Sequence, residues 1–588
     1  MTAIAGRYTA GLTDAQRRAV EVDHPQILVS AGAGSGKTET VKRRIQRMMG
    51  DGLMGSSILA ITFTNKAADE MRDRLVAAGM SKRNLPTVST FHGFALRVVK
   101  SLPHLIQRTE QMRVLDEVDA EDFLRRAARD ARYKAWEKGK LSKLREDERV
   151  VAAYQEALRA ADAVDFDLIE SGCWTVLQHE EGIALWRGRY ARIIVDEYQD
   201  TNPVQSKIAD ALRPEQLFVV GDDRQSIYGF RGSDPAFIRE AMTSDAWTHI
   251  ELADNFRSLP EIVKLANGIC SESSPMVARR EGEGVARMFV DERPEPGLRD
   301  AIVAFRRNAN GRKGGAWKDV AVLARTWAQL AEMEFTLKSA GIPCRVYSEK
   351  YDPWRTATGR SIAAALQLVC SPYADDLALR IYAIAMLDYS LRNPHAERPG
   401  EVRDVRAFAT SRRKSVLHHL VECADFAPTP GGDVWRIIAE TQRGDSALAL
   451  AKRVAELVSF PADELLDVLD SPLLRTASVE EFISRWAFRA TADAVKPNED
   501  VVHLMTIHAA KGLEWPMVVV LDVRDGVFPA RRASSTEESE EEDRRVLYVG
   551  ATRARDVLVL SRPSVTTWFD GRQIDTVPSP FLGFMEVA

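Results

Sequence analysis

Residues Gln26–Thr40 read QILVSAGAGSGKTET, in which an apolar run leads into a glycine-rich turn and then a polar segment. Ile27, Leu28 and Val29 predict a buried strand, and the residues beyond the turn predict a helix. Small residues in the turn let successive backbone N–H groups face phosphate oxygens, and the N-terminus of the next helix adds its positive dipole end. The stretch therefore predicts a strand–loop–helix unit of an α/β protein that binds a nucleoside triphosphate.

A second stretch, Ile193–Asn202, reads IIVDEYQDTN, an apolar run that carries two adjacent carboxylates to a strand end. A buried strand that ends in this way can hold a magnesium–water shell with Asp196 and activate a water molecule with Glu197. Together the two stretches predict both halves of a triphosphate-hydrolysing site.

The glycine-rich turn fits the P-loop pattern, with Ala31 where the first glycine often lies. In that pattern Lys37 reaches the β- and γ-phosphates, and the Thr38 hydroxyl and Asp196 hold the magnesium ion. The residues expected to line the nucleotide here are Ala31, Gly32, Ala33, Gly34, Ser35, Gly36, Lys37, Thr38 and Glu39.

Further strings occur in a fixed order along the chain: LTDAQ at 12–16, AITFTNKAADEM at 60–71, STFHGF at 89–94, VVGDDRQSIYGFRG at 219–232, LADNFRS at 252–258, LMTIHAAKGLEWP at 504–516 and LYVGATRA at 547–554. In this order and spacing they resemble the UvrD/Rep/PcrA-type superfamily 1 DNA helicases. The resemblance extends from about residue 10 to the C-terminus and is dense in these motifs.

The resemblance implies roles around the nucleoside. Gln16 is expected to bind the adenine edge, a task that suits a side chain with both a donor and an acceptor. Phe256 stands where the family usually has a tyrosine that stacks on adenine, and it keeps the aromatic face. Glu514 matches a residue that approaches the ribose.

The resemblance also implies roles at the γ-phosphate. Gln225 is expected to contact this phosphate and to link it to the neighbouring DNA-binding residues. Arg257 and Arg553 match two arginine fingers of the second lobe, and such groups typically raise the rate 10³- to 10⁵-fold. With Lys37, Asp196 and Glu197, these residues form the expected catalytic set.

Aromatic residues beside the motifs match family positions that stack on single-stranded DNA. These are Phe63, Tyr228 and Phe230, and an aromatic face accepts any base without reading its sequence. An ordinary core role for Phe63 and Phe230 is the alternative. Phosphate and sugar contacts are expected from Thr62, Thr64, Asn65, His92 and Arg231.

The spacing of the motifs predicts an α/β fold with two RecA-like parallel-sheet motor domains, each carrying a mostly helical insertion. The expected domains are 1–95 with 187–262 (motor domain 1A), 96–186 (helical insertion 1B), 263–360 with 497–588 (motor domain 2A) and 361–496 (helical insertion 2B).

The insertions and the C-terminal region carry weaker signals. The basic stretch Arg125–Arg145, with Tyr133 and Trp136, indicates either a nucleic-acid surface or a solvated helix face. Pro399-Gly400 and Arg412–Lys414 are the nearest candidates for a duplex-gripping element. The nearest aromatics to a strand-separating pin are Trp568 and Phe569, next to Gly571–Asp575. The acidic run Glu537–Asp543 is expected to be a solvated loop, with an electrostatic gate near the DNA as the alternative.

Composition sets broad limits on the class of protein. The chain has 588 residues, a formal net charge of −5 and 45% apolar residues, which is typical of a multidomain globular protein without global attraction to nucleic acid. Its five cysteines are scattered without CxxC pairs, which argues against a zinc or iron–sulfur site. No apolar run is long enough for a membrane span, so no membrane partner and a cytoplasmic location are expected.

These features predict an ATP- and Mg²⁺-dependent enzyme that moves along single-stranded DNA and unwinds DNA. By resemblance it should run 3′→5′, act at single-strand/double-strand junctions and serve repair, replication or recombination. A translocase or DNA-end sensor within a multi-subunit defence or recombination complex, with little unwinding alone, is the main alternative. Two further alternatives are a DNA-binding module with an inactive nucleotide site and an enzyme that acts on RNA. The sequence does not identify protein partners.

Overall fold

The computed structural model describes residues 8–133, 141–229, 232–271, 274–307, 315–348, 352–374, 377, 381, 432–458, 460–475, 478–489, 493, 499–531, 536–567 and 572–584. Among the predicted features, Phe230, Arg231, Trp136, Pro399-Gly400, Arg412–Lys414, Trp568, Phe569 and Gly571 lie outside these residues. Within them, no helix is long and apolar enough to cross a membrane.

The described strands, numbered β1 to β18 in chain order, are Gln26–Ala31, Ile58–Thr62, Thr87–Thr90, Arg113–Val114, Ala163–Val164, Arg192–Val195, Gln216–Gly221, Thr248–Leu252, Asp254–Asn255, Val277–Ala278, Val285–Asp291, Val320–Ala324, Cys344–Tyr347, Val502–Thr506, Trp515–Val520, Ala554–Pro563, Val565–Thr567 and Gln573–Asp575. The described α-helices, numbered α1 to α21, are Asp14–Glu21, Lys37–Gly50, Asn65–Ala77, Phe91–Ser101, Glu117–Asp130, Leu141–Glu146, Glu148–Ala160, Phe166–Gln178, Glu180–Trp186, Pro203–Ala211, Ala236–Thr243, Pro260–Ile269, Pro294–Arg307, Leu330–Ser339, Ala357–Cys370, Gly432–Glu440, Ala447–Leu457, Ala462–Leu469, Pro472–Arg475, Val479–Trp486 and Glu537–Ala551.

The first large sheet has the strand order β3-β2-β6-β7-β1-β8, and every adjacent pair is parallel. Strands β2 and β7 are buried along their whole length, as expected for a parallel sheet with both faces covered. Because β7 lies between β6 and β1, the segments that follow these three strands emerge side by side at one edge. They are the glycine-rich turn after Ala31, the acidic pair after Val195 and the segment after Gly221.

The second large sheet has the order β11-β16-β15-β12-β14-β13 and is also parallel throughout. Strands β12 and β14, both in the interior of this sheet, are fully buried. Helices α12 and α21 pack against each other on this sheet. The prediction of an α/β protein with two RecA-like parallel-sheet domains is confirmed.

The chain divides into two compact units. Unit 1 contains residues 1–91, 186–348 and 490–588, and therefore both sheets, which we call lobe 1 (the β1 sheet) and lobe 2 (the β12 sheet). Unit 2 contains residues 92–185 and 349–489, so the two insertions share a single compact unit.

Buried ion pairs join the two insertions inside unit 2. Asp116 precedes helix α5 of the first insertion and is 0% exposed. Arg360 of helix α15 in the second insertion reaches Asp116 Oδ2 with Nη1 at 3.1 Å, and it also pairs with Asp119. Arg489 Nη1 lies 3.2 Å from the same Asp116 oxygen. Since a buried charge without a partner is strongly unfavourable, these pairs fix how the insertions pack.

The acidic run Glu537–Asp543 is not a loop, so that prediction is wrong. It forms the first turns of helix α21, whose N-terminus is capped by the Thr536 side chain. Carboxylates near a helix N-terminus are favoured by the helix dipole, which explains why an acidic run begins a helix here.

Replacing Asp116 with alanine should lower the free energy of unfolding by about 3 kcal/mol, because Arg360 and Arg489 each lose one of two carboxylate partners and helix α5 loses its N-cap. Urea unfolding, combined with hydrogen exchange in helices α5 and α15, measures the effect. The matched control is Glu117→Ala, which removes an ion pair to Arg355 from a side chain that is 68% exposed. That change should cost less than about 1 kcal/mol. Equal effects of the two substitutions would contradict the role of the buried pairs.

Candidate active site

The glycine-rich turn connects β1 to helix α2 and has two backbone positions that require glycine. Gly34 and Gly36 have φ angles of +71° and +82°, in the left-handed region. A Cβ atom at Gly34 would lie 2.5 Å from Arg257 Cβ, and one at Gly36 would lie 2.6 Å from Gln16 Nε2. The turn is therefore closely surrounded by Gln16 of lobe 1 and by Arg257, whose side chain bonds to Glu514 and Thr552 of lobe 2.

Gln16 supports the turn directly. Its Nε2 donates to the Ser35 carbonyl at 3.0 Å, and its Oε1 accepts from the Thr13 backbone N–H at 3.1 Å. Both ends of this amide thus bond to the chain itself, and the adenine contact stays a prediction.

Lys37 and the acidic pair meet in front of the turn. Lys37 Nζ lies 3.8 Å from Glu197 Oε2, and Gln199 Nε2 donates to the same carboxylate at 2.6 Å. Burial and the adjacent Glu197 carboxylate raise the pKa of Asp196 to about 7. Burial also acts to raise the pKa of Glu197, but the Lys37 ammonium and other nearby cations outweigh it and lower that pKa. Glu197 is therefore ionised at neutral pH.

Polar atoms around the turn are buried without hydrogen-bond partners among the described residues. They are Ser35 Oγ, Lys37 Nζ and Asp200 Oδ1. Buried polar groups are normally bonded, so a cluster of unsatisfied ones at a glycine-rich turn indicates a polar ligand. A triphosphate with its cation supplies the oxygens and the positive charge that these atoms lack. Within the described residues no group of three or more His, Cys, Asp or Glu forms a metal site by itself.

Thr38 and Glu39 begin helix α2. Thr38 is half-buried beside Lys37, where the sequence places a magnesium ligand. The Glu39 carboxylate pairs with Lys42 and Arg43 of its own helix. Its contact with the nucleotide stays a prediction.

Gln225 of lobe 1 contacts Arg553 of lobe 2. Arg553 is 1% exposed, and its Nη2 donates to Gln225 Oε1 at 3.1 Å. Gln225 Nε2 in turn donates to Asp222 Oδ2 at 2.8 Å. Burial, together with the nearby Arg257 guanidinium, lowers the pKa of Arg553, although Glu197 and Glu514 act in the opposite direction.

Arg257 lies on the other side of the turn. Its Nε pairs with Glu514 at 2.6 Å, and its Nη1 donates to the Thr552 carbonyl at 3.2 Å. The backbone N–H of Phe256 donates to the Gly34 carbonyl at 2.8 Å, while the Phe256 ring is 43% exposed. An exposed ring beside a glycine-rich turn is available for stacking.

Asp200, Asp222, Asn255 and Lys511 also belong to the site, although the motifs alone predicted no role for them. Lys511 of lobe 2 is buried, pairs with Asp200 of lobe 1 and donates to the Gln225 carbonyl at 2.6 Å. Asn255 Nδ2 donates to the Ala33 carbonyl at 2.7 Å. All four residues lie within the quoted motifs, and this position was the one feature that could have indicated their role. The partners of Asp200, Asn255 and Lys511 are hundreds of positions away in the chain, so the sequence does not reveal these pairs.

The residues predicted to contact DNA fall into three groups. Phe63 and Tyr228 come together in unit 1, with ring centroids 4.8 Å apart and planes 21° apart. Thr62, Thr64 and Asn65 lie at the end of β2 and the start of helix α3, where Thr64 caps the helix. His92 belongs to unit 2, where it pairs with Glu170 at 3.0 Å and stacks on Phe488. Phe230 and Arg231 lie outside the described residues.

Two family models match the chain. The model described as UvrD/REP helicase N-terminal domain matches residues 12–147 and 137–245. The model described as UvrD-like helicase C-terminal domain matches residues 411–564.

Several characterised proteins are similar over nearly the full chain. DNA helicase II of Escherichia coli is 28% identical over 641 residues, which covers 97% of this chain and 87% of that protein. ATP-dependent DNA helicase UvrD1 of Mycobacterium tuberculosis is 31% identical over 662 residues, with 96% and 84% covered. ATP-dependent DNA helicase PcrA of Bacillus subtilis is 27% identical over 642 residues, with 97% and 85% covered.

The raised pKa of Asp196 predicts that protons and Mg²⁺ compete at the site. Because only the ionised carboxylate binds the cation, ATP turnover at limiting Mg²⁺ should fall as the pH is lowered from about 8 to about 6. Raising the Mg²⁺ concentration should move the midpoint of this fall to lower pH. Steady-state ATPase assays at several fixed Mg²⁺ concentrations measure it. A midpoint that does not depend on Mg²⁺ would contradict the assignment.

Proposed function

This chain belongs to the UvrD/REP helicase family and is an ATP-driven DNA helicase, and from that premise we propose a 3′→5′ motor that moves along single-stranded DNA and opens single-strand/double-strand junctions. We further propose that it acts in DNA repair, replication or recombination. We expect it to act in the cytoplasm, together with the DNA. The four-part division into 1A, 1B, 2A and 2B is part of the same proposal.

One contact carries the proposal. Arg553 of lobe 2 donates to Gln225 of lobe 1 beside the Lys37–Glu197 pair, so residues of both lobes converge on one glycine-rich turn. A triphosphate bound at the turn would then touch both lobes through its last phosphate. Loss of that phosphate would weaken the attraction between the lobes, which is how hydrolysis can produce movement.

In the hydrolytic step each residue has a distinct task. Thr38 and Asp196 would hold Mg²⁺, which when bound neutralises phosphate charge. Glu197, ionised at neutral pH, takes the proton of the attacking water. Lys37 holds the outer phosphates in place. Arg257 and Arg553 compensate the charge that develops on the departing phosphate.

Recognition of the nucleoside is assigned to three further residues. Phe256 stacks on adenine with its exposed face, Gln16 contacts the adenine edge, and Glu514 contacts the ribose when Arg257 turns toward the phosphate. In the present structure Arg257 and Glu514 pair with each other at 2.6 Å. Nucleotide binding therefore exchanges one partner of Arg257 for another.

DNA binding is assigned to the edge of lobe 1. Phe63 and Tyr228 supply aromatic faces that accept any base, at about 1–3 kcal/mol per base. Thr62, Thr64 and Asn65 supply polar groups at the N-terminus of helix α3, which favours a phosphate. We include His92, Phe230 and Arg231 in the same proposal on the family resemblance. The Gln225–Tyr228 segment connects this surface to the nucleotide.

The experiment compares ATP turnover with and without single-stranded DNA, beside displacement of a labelled strand from duplexes with 3′ or 5′ overhangs. We expect DNA to stimulate turnover, displacement only from the 3′ overhang, and no turnover for Lys37→Ala. Matched single-stranded RNA should stimulate less than DNA. Stimulation without displacement would favour the translocase or end sensor. Turnover that does not respond to DNA would contradict the proposal.

A further inference from the structure

The segment Gln225–Gly229 belongs to lobe 1 by chain connectivity, because it follows strand β7. At its start the Ser226 hydroxyl donates to the Gln199 carbonyl of lobe 1 at 3.1 Å. Beyond that bond most of its contacts are with lobe 2, apart from the Tyr228 ring, which stacks on Phe63 of lobe 1. The segment links Gln225, which contacts Arg553, to Tyr228, which stacks on Phe63.

Three residues of this segment contact lobe 2 directly. Lys511 donates to the Gln225 carbonyl at 2.6 Å, and Tyr228 Oη donates to the His508 carbonyl at 3.2 Å. The Ile227 side chain is fully buried in the hydrophobic core of lobe 2. A shift of lobe 2 would therefore carry the segment with it.

Two side chains of helix α21 also bond to this segment, and both lie just before the LYVGATRA motif. Arg545 Nε donates to the Ser226 carbonyl at 2.7 Å. Glu542 Oε1 accepts from the Gly229 backbone N–H at 3.1 Å. The two side chains are three residues apart on one helix face. The helix therefore donates one hydrogen bond to Ser226 and accepts one from Gly229.

These two bonds act on the backbone, so they fix the conformation of the segment rather than selecting its side chains. A displacement at Gln225 reaches Tyr228 only if the intervening backbone stays stiff. Without the two contacts, the segment keeps its bonds from Gln225 and Tyr228 to lobe 2 but loses those at Ser226 and Gly229. We propose that Arg545 and Glu542 are positioning residues that make the Gln225–Gly229 segment move with lobe 2, and so set how strongly DNA binding and ATP turnover are coupled. This inference rests on the proposed function.

The test measures the ratio of DNA-stimulated to basal ATP turnover, and the rate of movement along single-stranded DNA, in Glu542→Ala and Arg545→Met. Coupling elements of this kind change such ratios by about fivefold, and we expect a loss of that size while basal turnover stays within about twofold of the unaltered protein. Glu542→Gln, which keeps an acceptor oxygen, should retain most of the stimulation.

The matched control is Glu540→Ala, which removes the same charge from an exposed position of the same helix. It should behave like the unaltered protein. Gly229→Ala provides an independent probe, since its Cβ would lie 3.1 Å from Glu542 Oε2 and push the carboxylate away. As a single substitution, Gly229→Ala should lower the stimulation by DNA. Combined with Glu542→Ala, it should lower the stimulation little further.

Equal stimulation in Glu542→Ala, Arg545→Met and Glu540→Ala would overturn the inference. So would a parallel fall of basal and stimulated turnover, since that pattern indicates a merely structural role. If the unaltered protein shows no stimulation by DNA, the proposed function fails and the inference fails with it.

Discussion

The molecule depends on a concentration of buried positive charge at one glycine-rich turn. Lys37 and Arg553 are both enclosed there, and Arg257 approaches the same turn from lobe 2. Buried cations are unfavourable unless anions compensate them. Glu197 and Glu514 do so in part, at 3.8 Å from Lys37 and 2.6 Å from Arg257. A bound triphosphate would complete the compensation of these charges and would therefore draw the two lobes together.

The same constraint explains the contacts that cross between the lobes. Lys511 pairs with Asp200 and also bonds the Gln225 backbone, so charge compensation and the position of the segment are linked in one side chain. Tyr228 lies three residues beyond, against Phe63. A change in the electrostatic attraction between the lobes at the turn can therefore displace Tyr228 and Phe63 through a short chain of packed residues. Unit 2 is stabilised differently, because ion pairs around the buried Asp116 join its two insertions.

Much of this organisation could be predicted from the sequence. The apolar runs before Ala31 and before Asp196 predicted two buried strands, and both are present in the first large sheet, with β7 between them. The positions of Arg257 and Arg553 followed from the family resemblance, since nothing local distinguishes them from surface arginines. The prediction of a loop at Glu537–Asp543 is wrong because it rested on charge alone, whereas the cap at Thr536 and the helix dipole favour a helix. The Asp116–Arg360 pair was inaccessible to sequence reasoning, since it joins residues 244 positions apart.

The most direct test of the shared site is the steady-state ATPase activity of Arg553→Lys at saturating ATP and single-stranded DNA. Lysine keeps the positive charge but loses the planar fork that reaches Gln225. We predict a fall in kcat of about 10³-fold with a change in KM for ATP of less than about tenfold, because the contact acts on the departing phosphate rather than on the bound nucleotide. A kcat within a few-fold of the unaltered protein would contradict a site built from both lobes.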